Sequence, residues 1–241
     1  TTNKQRLCYN PRMSFFLSLD HARGFYADAD SAHDFEHILR VMNMAEFLAR
    51  QENAEVEIVR AAALLHDIAR HDEDSLREIR VSKSGQASAD ATIDHAQVSA
   101  NDARAFLLQH GADENFAARV ADAIASHRFR GTARPETLEA KILFDADKLD
   151  SIGAIGVARA YAVAGATNQK LWSEPKENAV ATRAQRHSAH TPVDEYHVKL
   201  KHLRERFFTP TAKKIAAERH AFMEEFFEQL TREVKQVAGI K

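Results

Sequence analysis

Apolar side chains recur at helical spacing along most of this chain, and the pattern predicts a protein built from helices. Residues at i, i+3, i+4 and i+7 form one face of a helix, whereas a half-buried strand alternates apolar and polar positions. Alternation of that kind is nearly absent, and glycine and proline are few. We therefore predict an all-α fold. The predicted helices cover about 34–50, 57–70, 93–107, 116–127 and 138–150, followed by two long C-terminal helices over about 196–207 and 215–234.

Two segments depart from the helical pattern, and neither resembles a linker between domains. Residues 81–90 are rich in serine and glycine and are predicted to form a loop. Residues 167–192 contain Trp172, two prolines and several basic residues without periodicity. Similar helical patterns lie on both sides of these segments, and the chain contains no internal repeat. We therefore predict one domain over residues 1–241, with a core of about 13–165 and a C-terminal helical extension of about 193–238.

Composition and charge narrow the class of protein. Apolar residues make up 44% of the chain and charged residues 28%, which excludes an intrinsically disordered protein. The formal net charge of −2 provides no strong field for nucleic acid or an acidic membrane, and we expect neither as a partner. The single cysteine, Cys8, cannot form an internal disulfide, and no signal peptide or transmembrane run is evident. We therefore expect a cytoplasmic protein.

Several polar residues occupy positions where the helical pattern calls for apolar ones. His66 and Asp67 interrupt an otherwise apolar run, and Asp147 lies on the apolar face of the predicted helix 138–150. His37 and His127 lie on apolar faces of two other helices. Burying a carboxylate costs several kcal/mol unless a cation or hydrogen-bond donors satisfy it.

Each of these residues has a plainer interpretation when it is considered alone. A single histidine on an apolar face is more often a hydrogen-bonded core residue than a metal ligand, and Asp145 and Asp150 could face solvent or cap a helix. Imidazoles and carboxylates that point inward from several helices satisfy one another most readily around a cation. Helical bundles build metal sites in this way. Together the residues therefore indicate a metal site.

The ordered set His37, His66–Asp67 and Asp147 resembles the signature of the HD-domain metal-dependent phosphohydrolases. The flanking sequence is similar to a bacterial subgroup of small cytosolic HD hydrolases, some of which resemble nucleoside triphosphate pyrophosphohydrolases. The similarity runs from about residue 13 to the C-terminus. It implies an HD-type helical bundle with long C-terminal helices. The segments that carry the resemblance are residues 31–41, 62–70, 138–143, 147–156 and 216–223.

The resemblance implies that His37, His66, Asp67 and Asp147 bind one divalent metal ion. Two imidazoles and two carboxylates suit Mn²⁺ best, and Mg²⁺, Fe²⁺, Co²⁺, Ni²⁺ or Zn²⁺ is also compatible. The set lacks a thiolate, which argues against a closed structural zinc site. Four protein ligands leave positions on the ion for water and a phosphate oxygen.

Further residues are candidates for binding a phosphorylated substrate. Lys148, which follows the predicted ligand Asp147, is the first candidate for binding phosphate, and Arg40 is a weaker one. Four more candidates lie near the predicted ligands: His33, His95, Arg128 and Arg130. For the arginines, a solvated surface charge is the alternative. His95 and His127 could bind phosphate or, as in binuclear relatives, a second metal ion.

The residue that handles the proton of the attacking water is not obvious from the sequence. Asp67, Lys148 and Asp150 are the candidate catalytic residues, and His71 and His33 are alternatives for the base. The basic segment around 183–187 could close over a triphosphate or form an ordinary surface loop.

The resemblance implies an enzyme that cleaves nucleoside triphosphates or deoxynucleoside triphosphates to monophosphate and pyrophosphate. The partner that the resemblance implies is therefore a small phosphorylated molecule, a nucleotide, bound by a monomer or a homodimer. Two other activities need the same metal centre: a nucleotidase and a cyclic-nucleotide phosphodiesterase. A non-catalytic sensor that binds metal or nucleotide is the alternative from a different class.

Overall fold

The computed structural model describes residues 17–26, 35–69, 95–128, 133–175 and 190–237, and within these ranges the chain is helical and contains no strand. The predicted all-α fold is confirmed. The helices are α1 (Leu19–Gly24), α2 (Phe35–Glu52), α3 (Val56–Leu65), α4 (His95–Gln109), α5 (Glu114–Ala125), α6 (Leu138–Leu149), α7 (Gly153–Ala166), α8 (Pro192–Val198), a 3₁₀ helix (Leu200–Arg206) and α9 (Pro210–Val237).

Local capping signals set several of these helix ends. The side chain of Asp113 accepts a hydrogen bond from the backbone N–H of Phe116 at the start of α5. Thr137 caps α6 in the same way. Gly111 ends the turn after α4 with φ +86°, a conformation that favours glycine over other residues. Local sequence signals therefore determine where α4 ends and where α5 begins.

The core lies where α2, α3, α5 and α6 pack together, with α4 against α5 and α9 against α7. Ile38, Leu64, Leu65, Ile142 and Leu143 are among its fully buried side chains. Burial of each such side chain stabilises the fold by about 1.5–3 kcal/mol. The helices that carry the predicted ligands are therefore held in place by buried apolar faces.

Some predicted boundaries are wrong. The helix expected over 57–70 ends at Leu65, and residues 66–69 form a turn. The first of the two long C-terminal helices is instead the short α8 followed by the 3₁₀ helix, because the backbone at Lys199 leaves the helical region with φ −131°. The sequence analysis did not predict α1 or α7. The predicted loop at 81–90 lies outside the described residues.

The described helices include none that is both long enough and apolar enough to cross a membrane. The division into a core and a C-terminal extension stays a prediction. In the described ranges, α9 packs against α2, α6 and α7, so the last helix contributes to the same packed body as the first ones.

Candidate metal centre

Four of the predicted ligands come together at the ends of three helices. His37 lies in the first turn of α2, His66 and Asp67 follow α3 directly, and Asp147 lies in the last turn of α6. His37, His66 and Asp67 are buried, and the Asp147 side chain is 13% exposed. The end of α3 at Leu65 matters here, because the turn that follows directs two adjacent side chains into one cluster.

Two further histidines join this cluster. His127 follows α5 and His95 opens α4, and both are buried. Their Nε2 atoms lie 3.6 Å and 3.5 Å, respectively, from Oδ1 of Asp67. Nitrogen and carboxylate atoms of three groups lie within 4.8 Å of one another and could hold an ion: His37, His66 and Asp67; His66, His127 and Asp147; and Asp67, His95 and His127.

Two histidine–carboxylate pairs of the described cluster are separated by more than a hydrogen-bonding distance. His37 Nε2 lies 3.7 Å from Asp147 Oδ1, and His66 Nε2 lies 3.7 Å from Asp67 Oδ2. Nitrogen and oxygen ligands bind metals at about 2.0–2.2 Å, so two atoms on one ion lie up to about 4.4 Å apart. The distances in these two pairs are therefore those expected for two ligand atoms on one metal ion.

His66 provides the strongest test of whether these residues fit a metal ion. Its Nδ1 donates to the carbonyl of Ala63 at 2.8 Å, which leaves the lone pair on Nε2. That Nε2 atom is buried and has no hydrogen-bond partner among the described residues. Burial lowers the pKa of His66 to about 4, although the charge of Asp67 works to raise it. A neutral, buried imidazole with an unpaired nitrogen fits a metal ligand.

His127 is oriented by the same kind of hydrogen bond. Its Nδ1 donates to the carbonyl of Ile124 at 2.6 Å, so its Nε2 also carries a lone pair on the side of Asp67. In both cases the carbonyl belongs to the residue three positions earlier. The helix ends therefore fix the tautomers of His66 and His127 without the help of a distant side chain.

Lys148 lies at the edge of the cluster and neutralises part of its negative charge. Its ammonium group donates to Oδ2 of Asp147 and lies 5.4 Å from the centre of the Phe144 ring. Burial works to raise the pKa of Asp147, but the charges of Lys148 and of the neighbouring imidazoles hold it well below its ordinary value. The Lys148 side chain is 14% exposed, so the group lies between the buried ligands and the solvent.

Asp150 lies behind His37 and not among the clustered donor atoms. His37 Nδ1 donates to its Oδ2 at 2.8 Å, Arg40 Nε donates to its Oδ1 at 2.8 Å, and Arg159 Nη1 donates to its Oδ2 at 2.9 Å. Burial works to raise the pKa of Asp150, but these hydrogen bonds keep it below its ordinary value. The structure does not bring this candidate base into the cluster, and its catalytic role stays a prediction.

Asp145 is fully buried, so the expectation that it could face solvent is wrong. It accepts hydrogen bonds from the backbone N–H groups of Phe208 and Thr209 and from the Thr209 hydroxyl, all at 2.8–2.9 Å. These groups lie immediately before α9. Asp145 therefore holds Thr209, whose hydroxyl oxygen accepts from the N–H of Ala212 at the start of α9, and ties α9 to the helix that carries Asp147.

The other predicted site residues are placed as follows. Arg128 is half-buried beside His127, and Arg40 is 36% exposed while it binds Asp150. His33, His71, Arg130 and the segment 183–187 lie outside the described residues.

Sequence reasoning missed Arg159 and Arg219. Arg159 is the one charged residue in α7, a helix otherwise made of glycine, alanine and apolar side chains plus Tyr161. Arg219, on α9, donates to the carbonyl of Leu149. A lone charge in an apolar helix was the available signal for Arg159.

Comparisons with known proteins agree with this geometry. The model of the family described as the HD domain matches residues 34–152. The protein YpgQ of Bacillus subtilis is 31% identical over 211 residues, which cover 86% of this chain and 87% of the relative.

Solved structures of similar proteins share the fold. The crystal structure of B. subtilis YpgQ in complex with ADP aligns with a TM-score of 0.62 and 27% identity, covering 89% of this chain and 94% of that one. The crystal structure of a predicted HD superfamily hydrolase from an uncultured Thermotogales bacterium aligns with a TM-score of 0.57 and 31% identity, covering 89% of this chain and 90% of that one.

Proposed function

Because this chain belongs to the HD-domain family and is a metal-dependent phosphohydrolase, we propose that it cleaves nucleoside and deoxynucleoside triphosphates to monophosphate and pyrophosphate, with Mn²⁺ as the preferred ion. The observation that carries the proposal is that His37, His66, Asp67 and Asp147 lie in two overlapping groups of donor atoms, each within 4.8 Å, with the cation of Lys148 beside Asp147. The ADP in the YpgQ structure supports a nucleotide as the substrate.

His37, His66, Asp67 and Asp147 would hold the ion. Two imidazoles and two carboxylates form a borderline-to-hard ligand set, which supports Mn²⁺ over softer ions. A bound divalent ion lowers the pKa of a coordinated water molecule and neutralises charge that develops on phosphorus. The unpaired Nε2 of His66 and the ion-paired carboxylate of Asp147 are already in the protonation states that ligation requires.

Lys148 would bind a phosphate oxygen of the substrate. Its ammonium group has three donors, and the carboxylate of Asp147 accepts one of them. A triphosphate brings several negative charges to a protein whose net charge is only −2, so a local cation is needed to offset them. Arg128, half-buried at the edge of the cluster, is the second cation of the described residues that we assign to this task. His33 and Arg130 stay predictions from the sequence.

His95 and His127 could have either of two roles, and the number of metal ions bound per chain distinguishes them. With Asp67 they form a third group of donor atoms within 4.8 Å, which would suit a second ion. If they bind phosphate instead, the protein should hold one ion per chain. We assign them to phosphate, because His37, His66, Asp67 and Asp147 already supply four ligands for one ion, although His127 also lies in the group with His66 and Asp147. Two ions per chain, with one lost in His95→Ala, would overturn this assignment.

The products of the reaction test the proposal directly. Attack at the α-phosphorus releases pyrophosphate, whereas attack at the γ-phosphorus releases phosphate. The metal-free protein would be given Mn²⁺ and each of a panel of triphosphates, monophosphates and cyclic nucleotides in ¹⁸O-labelled water. We expect monophosphate and pyrophosphate as first products, with ¹⁸O in one of them, and weaker turnover with Ca²⁺, whose looser coordination positions water less well.

Other results would favour the alternatives. Phosphate released first from a triphosphate would exclude a pyrophosphohydrolase and leave a metal-dependent phosphohydrolase of another kind. Turnover confined to monophosphates would indicate a nucleotidase, and turnover confined to cyclic nucleotides a phosphodiesterase. Bound metal without turnover on the whole panel would indicate a sensor.

A further inference from the structure

The predicted ligand His37 is oriented differently from His66 and His127. His66 and His127 donate from Nδ1 to a backbone carbonyl three residues earlier. His37 instead pairs through Nδ1 with a carboxylate oxygen of Asp150, a residue 113 positions along the chain, at 2.8 Å. Both side chains are buried, with His37 1% and Asp150 4% exposed. The orientation of the His37 ring therefore depends on a contact between two helices.

Asp150 is itself held from several directions. Arg40 donates through Nε to Oδ1 at 2.8 Å and through Nη2 to Oδ2 at 3.2 Å. Arg159 donates through Nη1 to Oδ2 at 2.9 Å and to the backbone carbonyl of Asp150 at 3.1 Å. Arg219 donates to the carbonyl of the preceding residue, Leu149. Side chains from α2 and α7 thus hold the carboxylate of Asp150, and one from α9 holds the backbone just before it.

We propose that Asp150 is a positioning residue for the metal centre, which acts by holding His37 with its Nε2 toward Asp147, and that Arg40 and Arg159 hold Asp150 in that position. Two observations support this: Nδ1 of His37 lies 2.8 Å from Oδ2 of Asp150, and Nε2 of the same ring lies 3.7 Å from Oδ1 of Asp147. A carboxylate that accepts the second N–H of a ligating histidine fixes its tautomer and its direction. The proposal rests on the proposed function, because it needs His37 to bind metal.

This role differs from the proton-transfer role considered for Asp150 above. A general base must reach the attacking water, yet the three side chains that donate to Asp150 already occupy both of its oxygens. It also differs from a merely structural role, in which Asp150 would stabilise the packing of α2, α6 and α7 without any effect on the ligands. The three roles predict different measurements.

The experiment is a titration of the metal-free protein with Mn²⁺, which measures the Kd without any turnover. Asp150→Ala should weaken Mn²⁺ binding about 10–100-fold, the range typical for loss of an outer partner of a metal ligand. Asp150→Asn keeps the shape and one acceptor oxygen but loses the charge, so it should fall between Asp150→Ala and wild type. At saturating Mn²⁺ both variants should regain most of their kcat, because His37 itself is intact.

Dependence on His37 is tested in a second background. In His37→Ala, the further change Asp150→Asn should alter the Kd less than about twofold, because the residue through which Asp150 acts is already gone. Full additivity of the two changes would overturn the proposal. This comparison remains informative if Asp150→Ala fails to fold, because Asp150→Asn is nearly isosteric.

A matched control comes from a second histidine–carboxylate pair, His190 and Glu195, whose atoms lie 2.9 Å apart in a part of the chain that contributes nothing to the cluster. Glu195→Gln should lower stability and leave the Kd for Mn²⁺ unchanged. If Asp150→Asn behaves in the same way, the role is structural and the proposal is wrong. If it leaves the Kd unchanged but lowers kcat at saturating Mn²⁺ and removes one limb of the pH profile, Asp150 transfers a proton and the proposal is also wrong.

One further variant separates failure of this proposal from failure of the proposed function. His66→Ala should weaken Mn²⁺ binding whatever Asp150 does. If His66→Ala binds Mn²⁺ as tightly as wild type, the metal centre itself is wrongly assigned. If His66→Ala weakens binding and Asp150→Asn does not, only the positioning role of Asp150 is refuted.

Discussion

The two glycines at opposite ends of α7 should respond in opposite directions to the same substitution. A Cβ atom at Gly156 would lie 2.3 Å from the backbone oxygen of Ser151 and 2.6 Å from its carbonyl carbon. Ordinary C···O contacts are about 3.3–3.6 Å, so the backbone would have to move by about 1 Å. At Gly165 a Cβ atom would meet nothing within 4 Å.

These distances give the expected magnitudes. Overpacking costs about 1–3 kcal/mol, and the rigid backbone contact at Gly156 places this site at the upper end of that range. Replacement of glycine by alanine inside a helix gains about 0.8–1.0 kcal/mol, which offsets part of the cost at Gly156 and is the whole effect at Gly165. The two variants should therefore differ by about 2–3 kcal/mol in the free energy of unfolding, with Gly165→Ala the more stable.

Thermal unfolding measures the difference. For a chain of this size 1 kcal/mol shifts Tm by about 2–4 °C, so Gly156→Ala should melt about 5–10 °C below Gly165→Ala. Gly156→Ala should also weaken Mn²⁺ binding, because Ser151 follows Asp150 and the strained turn carries that carboxylate. Equal melting temperatures, or a higher one for Gly156→Ala, would refute the reasoning.

Three further predictions concern the cluster and the control pair. His66→Ala should lose stoichiometric metal in elemental analysis, and a metal content equal to that of wild type would refute its assignment. Asp147→Asn should lower metal affinity and kcat together, whereas Lys148→Ala should keep the metal and raise KM or lower kcat; metal loss in Lys148→Ala would refute this division of roles. Burial opposes ionisation of Glu195, but the hydrogen bond with His190 lowers the pKa of Glu195 to about 2. Its ordinary pKa is about 4.3, so its contribution to stability is complete above that pH and is lost as the pH falls toward 2. Glu195→Gln should therefore cost about 1.5–3 kcal/mol at pH 7 in denaturant unfolding. The difference from wild type should shrink below about pH 4; a constant difference from pH 7 to pH 3 would contradict the pKa.

The all-α fold and a cluster of buried polar residues could be predicted because both leave a local signal, whereas the set of four predicted ligands came from the resemblance to HD-domain hydrolases. Helical periodicity shows in any window of a dozen residues. His66 and Asp67 interrupt an apolar run, and burial makes such an interruption costly unless something compensates it. The structure places both residues at the end of α3, a boundary that the periodicity alone does not mark, because Ile68 and Ala69 continue the apolar pattern.

The partners of Asp150 could not be predicted, because they come from elements far apart in the sequence. Arg40 lies 110 positions away, and Arg159 belongs to a helix that the pattern did not reveal. α7 consists mainly of glycine, alanine and valine, so it has no distinct polar face from which a helical stripe could be read. Pairing between such elements is a property of the packed structure.

Asp145 is a second residue whose hydrogen-bond partners could not be predicted from the sequence around it. Its position in α6 allowed either a solvent-facing or a capping role. The groups that donate to it precede α9, more than 60 residues later. No pattern within α6 identifies them. This buried carboxylate, two residues before the predicted ligand Asp147, therefore connects α6 to the start of α9.

The central claim, that this cluster holds the ion required for nucleotide hydrolysis, is tested most directly by removal and return of the metal in wild type and in Asp67→Asn. Chelator-treated wild type should release no pyrophosphate from a deoxynucleoside triphosphate, and stoichiometric Mn²⁺ should restore the release. Asp67→Asn should remain inactive at the same Mn²⁺ concentration, because it lacks one of the two carboxylates that would bind the ion. Pyrophosphate release that persists after chelation, or that Mn²⁺ restores equally in Asp67→Asn, would contradict the account.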